Sequence, residues 1–170
     1  EEFEYGNVYR GVFPIKVNQK RVVVEQIIAA GRPYGYGLEA GSKPELLAAI
    51  AADLAPESLI VCNGYKDDAF VRMALNGLRM KKKVVLVLEK VSELDRILTV
   101  AKERRVRPLL GMRVKLYARG SGKWAKSGGE AAKFGLTTPE MLETVNILKR
   151  RRMLDSMVML HFHIGSQITD

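Results

Sequence analysis

Apolar, β-branched runs alternate with amphipathic helical stretches along this whole chain, and no hairpin signal interrupts them. Strands are expected at Tyr9–Val17, Tyr36–Leu38, Leu59–Cys62, Val84–Leu88, Leu109–Leu116 and Met157–His163. Helices are expected at Gln19–Ala30, from Ser42 to Leu54, at Asp67–Leu78, from Ser92 to Arg105, and from Thr137 or Thr138 to Arg151. Local signals punctuate them. Gly31-Arg32-Pro33 stops the first helix, Ser42-Lys43-Pro44-Glu45 reads as a capping box, and Ser92 reads as a cap with Asp95 at the third position. Such alternation gives parallel strands joined by right-handed crossovers. An open doubly wound sheet and a β/α barrel both satisfy it. A complete barrel takes about 250 residues, so six strands in 170 residues lead to an α/β fold, a (β/α)8 TIM barrel present as about six β/α units. Residues 1–170 are then part of one barrel domain, an internal piece whose remaining units lie outside it. Gly165 to Asp170 reads as the start of a strand–helix loop.

Apolar residues make up 47% of the chain and charged residues 28%, the balance of a globular protein. Cys62 is the single cysteine, which excludes an internal disulfide framework and suits a reducing cytoplasm. No apolar run reaches the ~20 residues of a membrane helix, and Glu1-Glu2-Phe3-Glu4-Tyr5 lacks the basic and apolar regions of a signal peptide. The net charge of +9 gathers in Lys81-Lys82-Lys83, Arg104-Arg105 with Arg107, and Lys149 to Arg152. Each cluster falls at a helix C-terminus, where cations complement the helix dipole. No interleaved aromatics offer base stacking, so solvated helix ends are the favoured reading over a nucleic-acid surface.

Chemistry-bearing residues fall at expected strand ends. Lys16 closes the first strand, where a barrel side chain meets the mouth; partial burial there would make its amine a nucleophile for carbonyls, and reaching for solvent is the alternative. His161 and His163 share one face of the sixth strand, as metal ligands or core groups; no partner at zinc-ligand spacing accompanies them. Gly165-Ser166 at the following junction suits a phosphate. Arg113 and Lys115 share a face of the fifth strand and require an anion, from a ligand or from a neighbouring strand, Glu39 being one candidate. The glycine-rich stretch Arg119–Glu130, which holds Trp124, matches no nucleotide-binding spacing.

Several segments together resemble the biosynthetic arginine decarboxylase family, within the wider alanine-racemase-like group of pyridoxal phosphate enzymes. They are Val12–Gln19, Tyr36–Leu46, Cys62–Asp67, Arg119–Leu136 and His161–Ile168. The resemblance implies a barrel of the alanine-racemase-like type with a C-terminal β domain, and active sites at the interfaces of a homo-oligomer. It implies decarboxylation of L-arginine to agmatine in polyamine synthesis. Lys16 would be the Schiff-base lysine, His163 would stack on the cofactor ring, Ser166 would touch the phosphate, Arg113 would lie near the ring and Glu39 near the Schiff base. Family members also use magnesium, to which no residue here is assigned. Decarboxylases of ornithine or diaminopimelate, and a non-catalytic barrel relative, are the competing readings. An isolated 170-residue piece is expected to be inactive, because the substrate loop and the groups contributed across the interface lie elsewhere.

Overall fold

The computed structural model describes residue 6, residues 8–116 and residues 135–164. Six strands form one sheet: β1 (Val12–Pro14), β2 (Gly37–Ala40), β3 (Leu59–Cys62), β4 (Lys83–Leu88), β5 (Leu109–Arg113) and β6 (Met157–His161). Five helices connect them: α1 (Arg21–Gly31), α2 (Lys43–Ala51), α3 (Asp68–Arg79), α4 (Val91–Arg104) and α5 (Thr138–Arg150). Every neighbouring pair is parallel, and the spatial order equals the chain order, β1 through β6. A doubly wound sheet reverses its strand order at a switch point. This sheet never reverses, so it winds as a barrel does.

The pleat divides the strands between two environments. Leu38, Ile60, Cys62, Val84, Leu86, Leu88, Leu110 and Met112 face the helices and share a core with Leu46, Ile50, Phe70, Leu75, Leu94, Ile97 and Leu148. A side chain at Gly77 would run into Val84 and Ile50, which shows how tightly α3 sits on β4. The opposite, inner face carries Val61, Val85 and Val87, at most 5% exposed. A Cβ at Gly111 would touch Val87, Met159 and Val85, so these side chains converge inside the curve. At Gly37 a Cβ would lie 2.1 Å from the Leu59 carbonyl oxygen, and only glycine admits that approach of backbones.

Helix ends follow their local chemistry. The Ser42 box forms as expected, with Glu45 Oε2 accepting from the Gly41 and Ser42 amides. Thr137 and Glu140 cap α5 in the same way, and Asp67 caps α3. Three helices leave through left-handed residues that are not glycine: Lys81, Arg105 and Arg152. Each is followed by an amide that reaches back five residues, Lys82 to Gly77, Val106 to Ala101 and Met153 to Leu148, the Schellman arrangement. The basic clusters are therefore helix exits at the face opposite the mouth. Lys82 donates to the Ala52 carbonyl, and Arg107 and Arg151 pair with Asp155 and Asp95.

Four differences from the sequence reading bear on the mouth. β1 stops at Pro14, and Ile15–Val17 form a single 3-10 turn, so Lys16 follows the strand and does not alternate with Val12 and Pro14. Ser92 lies inside α4, whose N-cap is Lys90. β5 ends at Arg113, and Lys115 donates its amide to Leu136 beyond it. β6 ends at His161 after an irregularity opposite Leu110/Gly111, so His163 is not on the strand.

Candidate active site

The C-terminal strand ends carry a polar layer directly above the inner valines. Glu39 is the penultimate residue of β2 and is 6% exposed. Its Oε1 accepts from Asn63 Nδ2 at 3.1 Å. Turning that amide over would set oxygen against carboxylate, so the Asn63 orientation is fixed electrostatically. Pro14 pairs with Glu39 in the β1–β2 register, which puts the turn bearing Lys16 immediately past that carboxylate. The Lys16 side chain is exposed.

Arg113, at the end of β5, meets Glu89 just past β4. Its Nη1 donates to both oxygens, at 3.1 and 3.2 Å, and the Glu89 side chain is fully buried. Thus the carboxylate beside Arg113 is Glu89 and not Glu39. Glu89 Oε1 also accepts from the Gly64 amide at 3.0 Å. Behind it lies a second buried pair, Lys66 Nζ to Glu93 Oε1 at 3.5 Å. Lys66 Nζ also donates to the Gly64 and Val87 carbonyls. Glu93 accepts from the Lys66 amide at 3.1 Å and the Glu89 amide at 2.7 Å. Burial holds the Lys66 ammonium below its ordinary pKa although Glu93 and Glu89 oppose the shift. The Cys62 thiol, buried beside them, is pushed up to about 12 and is therefore no nucleophile at neutral pH. On the rim, Lys90 Nζ sits 4.4 Å from the Tyr65 ring centroid.

His161 pairs with Arg113 across β5 and β6. Burial, and then the Arg113 charge, hold its imidazole below the usual pKa of 6.5. The unfolded chain therefore takes up a proton near 6.5 that the folded chain resists. Stability from this group is complete above 6.5 and is lost as pH falls through the lowered value. Thermal melts between pH 7 and 5 should show that acid loss, and His161→Gln should shrink it; an unchanged slope would refute the assignment.

Of the predicted residues, the structure gathers Glu39 and Arg113 into the mouth and puts Lys16 at its edge. His163 is exposed, two residues beyond β6. Ser166, Arg119 and Trp124 lie outside the described residues. Asn63 and Lys66 entered the sequence reading only within the segment Cys62–Asp67, with no role assigned, and Glu89 and Glu93 escaped it. A charge directly after the buried run Val84–Leu88 was the available signal for Glu89.

Three buried polar atoms at this face have no hydrogen-bond partner among the described residues: Glu39 Oε2, Asn63 Oδ1 and His161 Nδ1. Each such atom costs about 1–3 kcal/mol unless a ligand satisfies it. Glu39 Oε2 and Asn63 Oδ1 call for a donor, whereas the exposed amine and the oriented guanidinium call for a carbonyl and negative charge; together they fit a polar group that carries both. Among the described residues no cluster of three His, Cys, Asp or Glu side chains could hold a metal ion.

Winding order and polar mouth thus define a β/α-barrel domain. The family described as pyridoxal-dependent decarboxylase, pyridoxal binding domain, matches residues 3–170, and the chain belongs to it. It is 57% identical over 169 residues to a biosynthetic arginine decarboxylase of Deinococcus radiodurans, covering 99% of this chain and 26% of that protein. Against the enzyme of the same name from Bacteroides thetaiotaomicron it is 50% identical, covering 99% and 27%. The chain therefore spans only a minor part of the curated relatives it matches. The crystal structure of the Campylobacter jejuni biosynthetic arginine decarboxylase superposes with a TM-score of 0.85 at 40% identity, covering 99% of this chain and 27% of that one. A diaminopimelate decarboxylase from Helicobacter pylori shares the fold, with a TM-score of 0.78 at 22% identity, covering 98% and 40%.

Proposed function

We propose that the full-length protein carrying this domain removes CO2 from L-arginine and releases agmatine, with pyridoxal phosphate attached at Lys16. The observation that carries this reading is the β1–β2 register. It brings the Lys16 turn to Glu39, a buried carboxylate with one oxygen still lacking a donor. The name shared by the relatives that are 50–57% identical supports arginine as the substrate.

Pyridoxal phosphate, when bound, supplies the electron sink for the pair left behind as CO2 departs. The chain's own residues bind, orient and shield. Glu39, held at one oxygen by Asn63, offers the other to a cationic nitrogen at the mouth. Arg113, held by Glu89, presents positive charge to an electron-rich ring oxygen. By the family resemblance, His163 would contact the cofactor ring and Ser166 would hold the phosphate. Val61, Val85 and Val87 close the floor of the mouth to water, which strengthens every charge interaction above them. No described residue is assigned to magnesium. The family resemblance further supports a homo-oligomer, and the single buried thiol Cys62 suits the cytoplasm.

A substrate panel on the full-length protein tests the reading. Arginine is expected to be preferred by at least about a hundred-fold over ornithine, lysine and diaminopimelate, because a pocket built for a guanidinium leaves buried acceptors unpaired with the others. Equal or faster turnover of any of these overturns arginine as the substrate.

A further inference from the structure

We propose that Glu89 is a positioning residue of the mouth, whose buried carboxylate sets the orientation of Arg113 and, through the Gly64 amide, the turn that carries Asn63. The inference rests on the pyridoxal phosphate site proposed above. Glu89 faces Arg113 from β5, the Gly64 amide and Lys66 from the β3–α3 turn, Glu93 from α4 and His161 from β6. Lys66 with Glu93, and Arg113 with Glu89, form two pairs whose charges cancel. That leaves Glu39 as the buried carboxylate here without a cation at hydrogen-bond distance among the described residues.

Position argues for a role beyond stability. Packed apolar side chains replace a buried ion pair at little or no loss of stability. This pair instead stands where two adjacent strands open onto the mouth, the face on which barrel sites are built. One carboxylate touches two neighbours of the site. Arg113 is fixed through Nη1, and Gly64, in a left-handed conformation at φ 75°, follows the Asn63 that fixes Glu39. Moving Glu89 therefore displaces Arg113 and loosens Asn63 and Glu39 together.

The test uses full-length protein loaded with pyridoxal phosphate, and reads cofactor affinity and the pH midpoint of the bound cofactor's visible absorbance. Glu89→Gln keeps the shape and removes the charge. The mouth then gains a net positive charge, so the midpoint is expected to fall by about one unit and the dissociation constant to rise about ten-fold or more. Glu89→Asp keeps the charge but is one methylene shorter; its midpoint should match the wild type while affinity weakens less than in Glu89→Gln. Wild-type midpoint and affinity in both variants would overturn the proposal, as would a midpoint shifted equally in both. If Glu89→Gln does not fold, Glu89→Asp decides alone: weaker affinity at an unchanged midpoint supports the role, and wild-type affinity or a moved midpoint removes it. Wild-type protein that binds no pyridoxal phosphate would sink the site itself, an outcome distinct from a failure confined to Glu89.

Discussion

Lys16→Ala in the full-length protein abolishes borohydride trapping of pyridoxal phosphate on this domain, and turnover of arginine falls on the order of a thousand-fold or more. The expectation follows from how three other lysines at the mouth are engaged. Lys66 is committed to two carbonyls and Glu93, Lys43 to Asp67, and Lys90 to the Tyr65 ring. Lys16 has no hydrogen bond or ion pair among the described residues, so its amine is free for covalent chemistry. Its backbone is held in place by the two residues before it, the buried Ile15 and Pro14 in register with Glu39. Peptide mapping of the reduced adduct checks the site directly. An adduct that persists in Lys16→Ala and maps to another lysine would reassign the attachment point.

Glu93→Ala is expected to cost about 3–5 kcal/mol of stability, the penalty for leaving a buried charge without its partner. The Lys66 side chain is fully buried and that of Glu93 is 8% exposed. Removing Glu93 also strands the Lys66 and Glu89 amides that it accepts from. Denaturant midpoints of wild type and variant measure the loss. The double change Lys66→Met with Glu93→Leu should recover the part due to the unpaired charge, because apolar packing replaces the pair at little net cost, while the loss from the two stranded amides remains. A loss below about 1 kcal/mol would mean that the pair behaves as a surface salt bridge. Lys66 also has a pH signature. Its lowered pKa means that the folded state releases this proton before the unfolded state does. Stability from this group therefore rises with pH between the lowered value and 10.5, and Lys66→Met should remove that rise.

The strands that were easiest to read were buried on both faces. Leu59–Cys62 and Val84–Leu88 show as unbroken β-branched runs because neither face meets water, and the structure moves their bounds by one residue at most. Their order around the barrel was legible from the absence of hairpin turns. What escaped were decisions made by tertiary contacts. Ser92 carries the local chemistry of a cap, yet α4 begins at Val91 because Glu93 reaches the amides of Glu89 and Lys66, the latter in a different loop. At β1 and β6 the strand-like residues outlast the pairing. Pro14 lacks an amide for a longer ladder, and the chain leaves the sheet at Ile15 and again after His161. The site was half legible for the same reason. Glu39 and Arg113 stand out as charges ending apolar runs, whereas the pairing of Arg113 with Glu89 depends on which strands become neighbours.

Because each strand pairs only with the ones before and after it in the chain, every strand pairing closes over a single β/α unit. Such a sheet can grow in the direction of synthesis, each unit docking on its predecessor as it emerges from the ribosome, with little entropy lost in long-range closure. The polar layer assembles on the same schedule. Glu39 meets its Asn63 one unit later, Glu89 receives Gly64 on its own arrival, and Arg113 is captured by a carboxylate already in place. The order in which the mouth is built is thus written into the order of its strands.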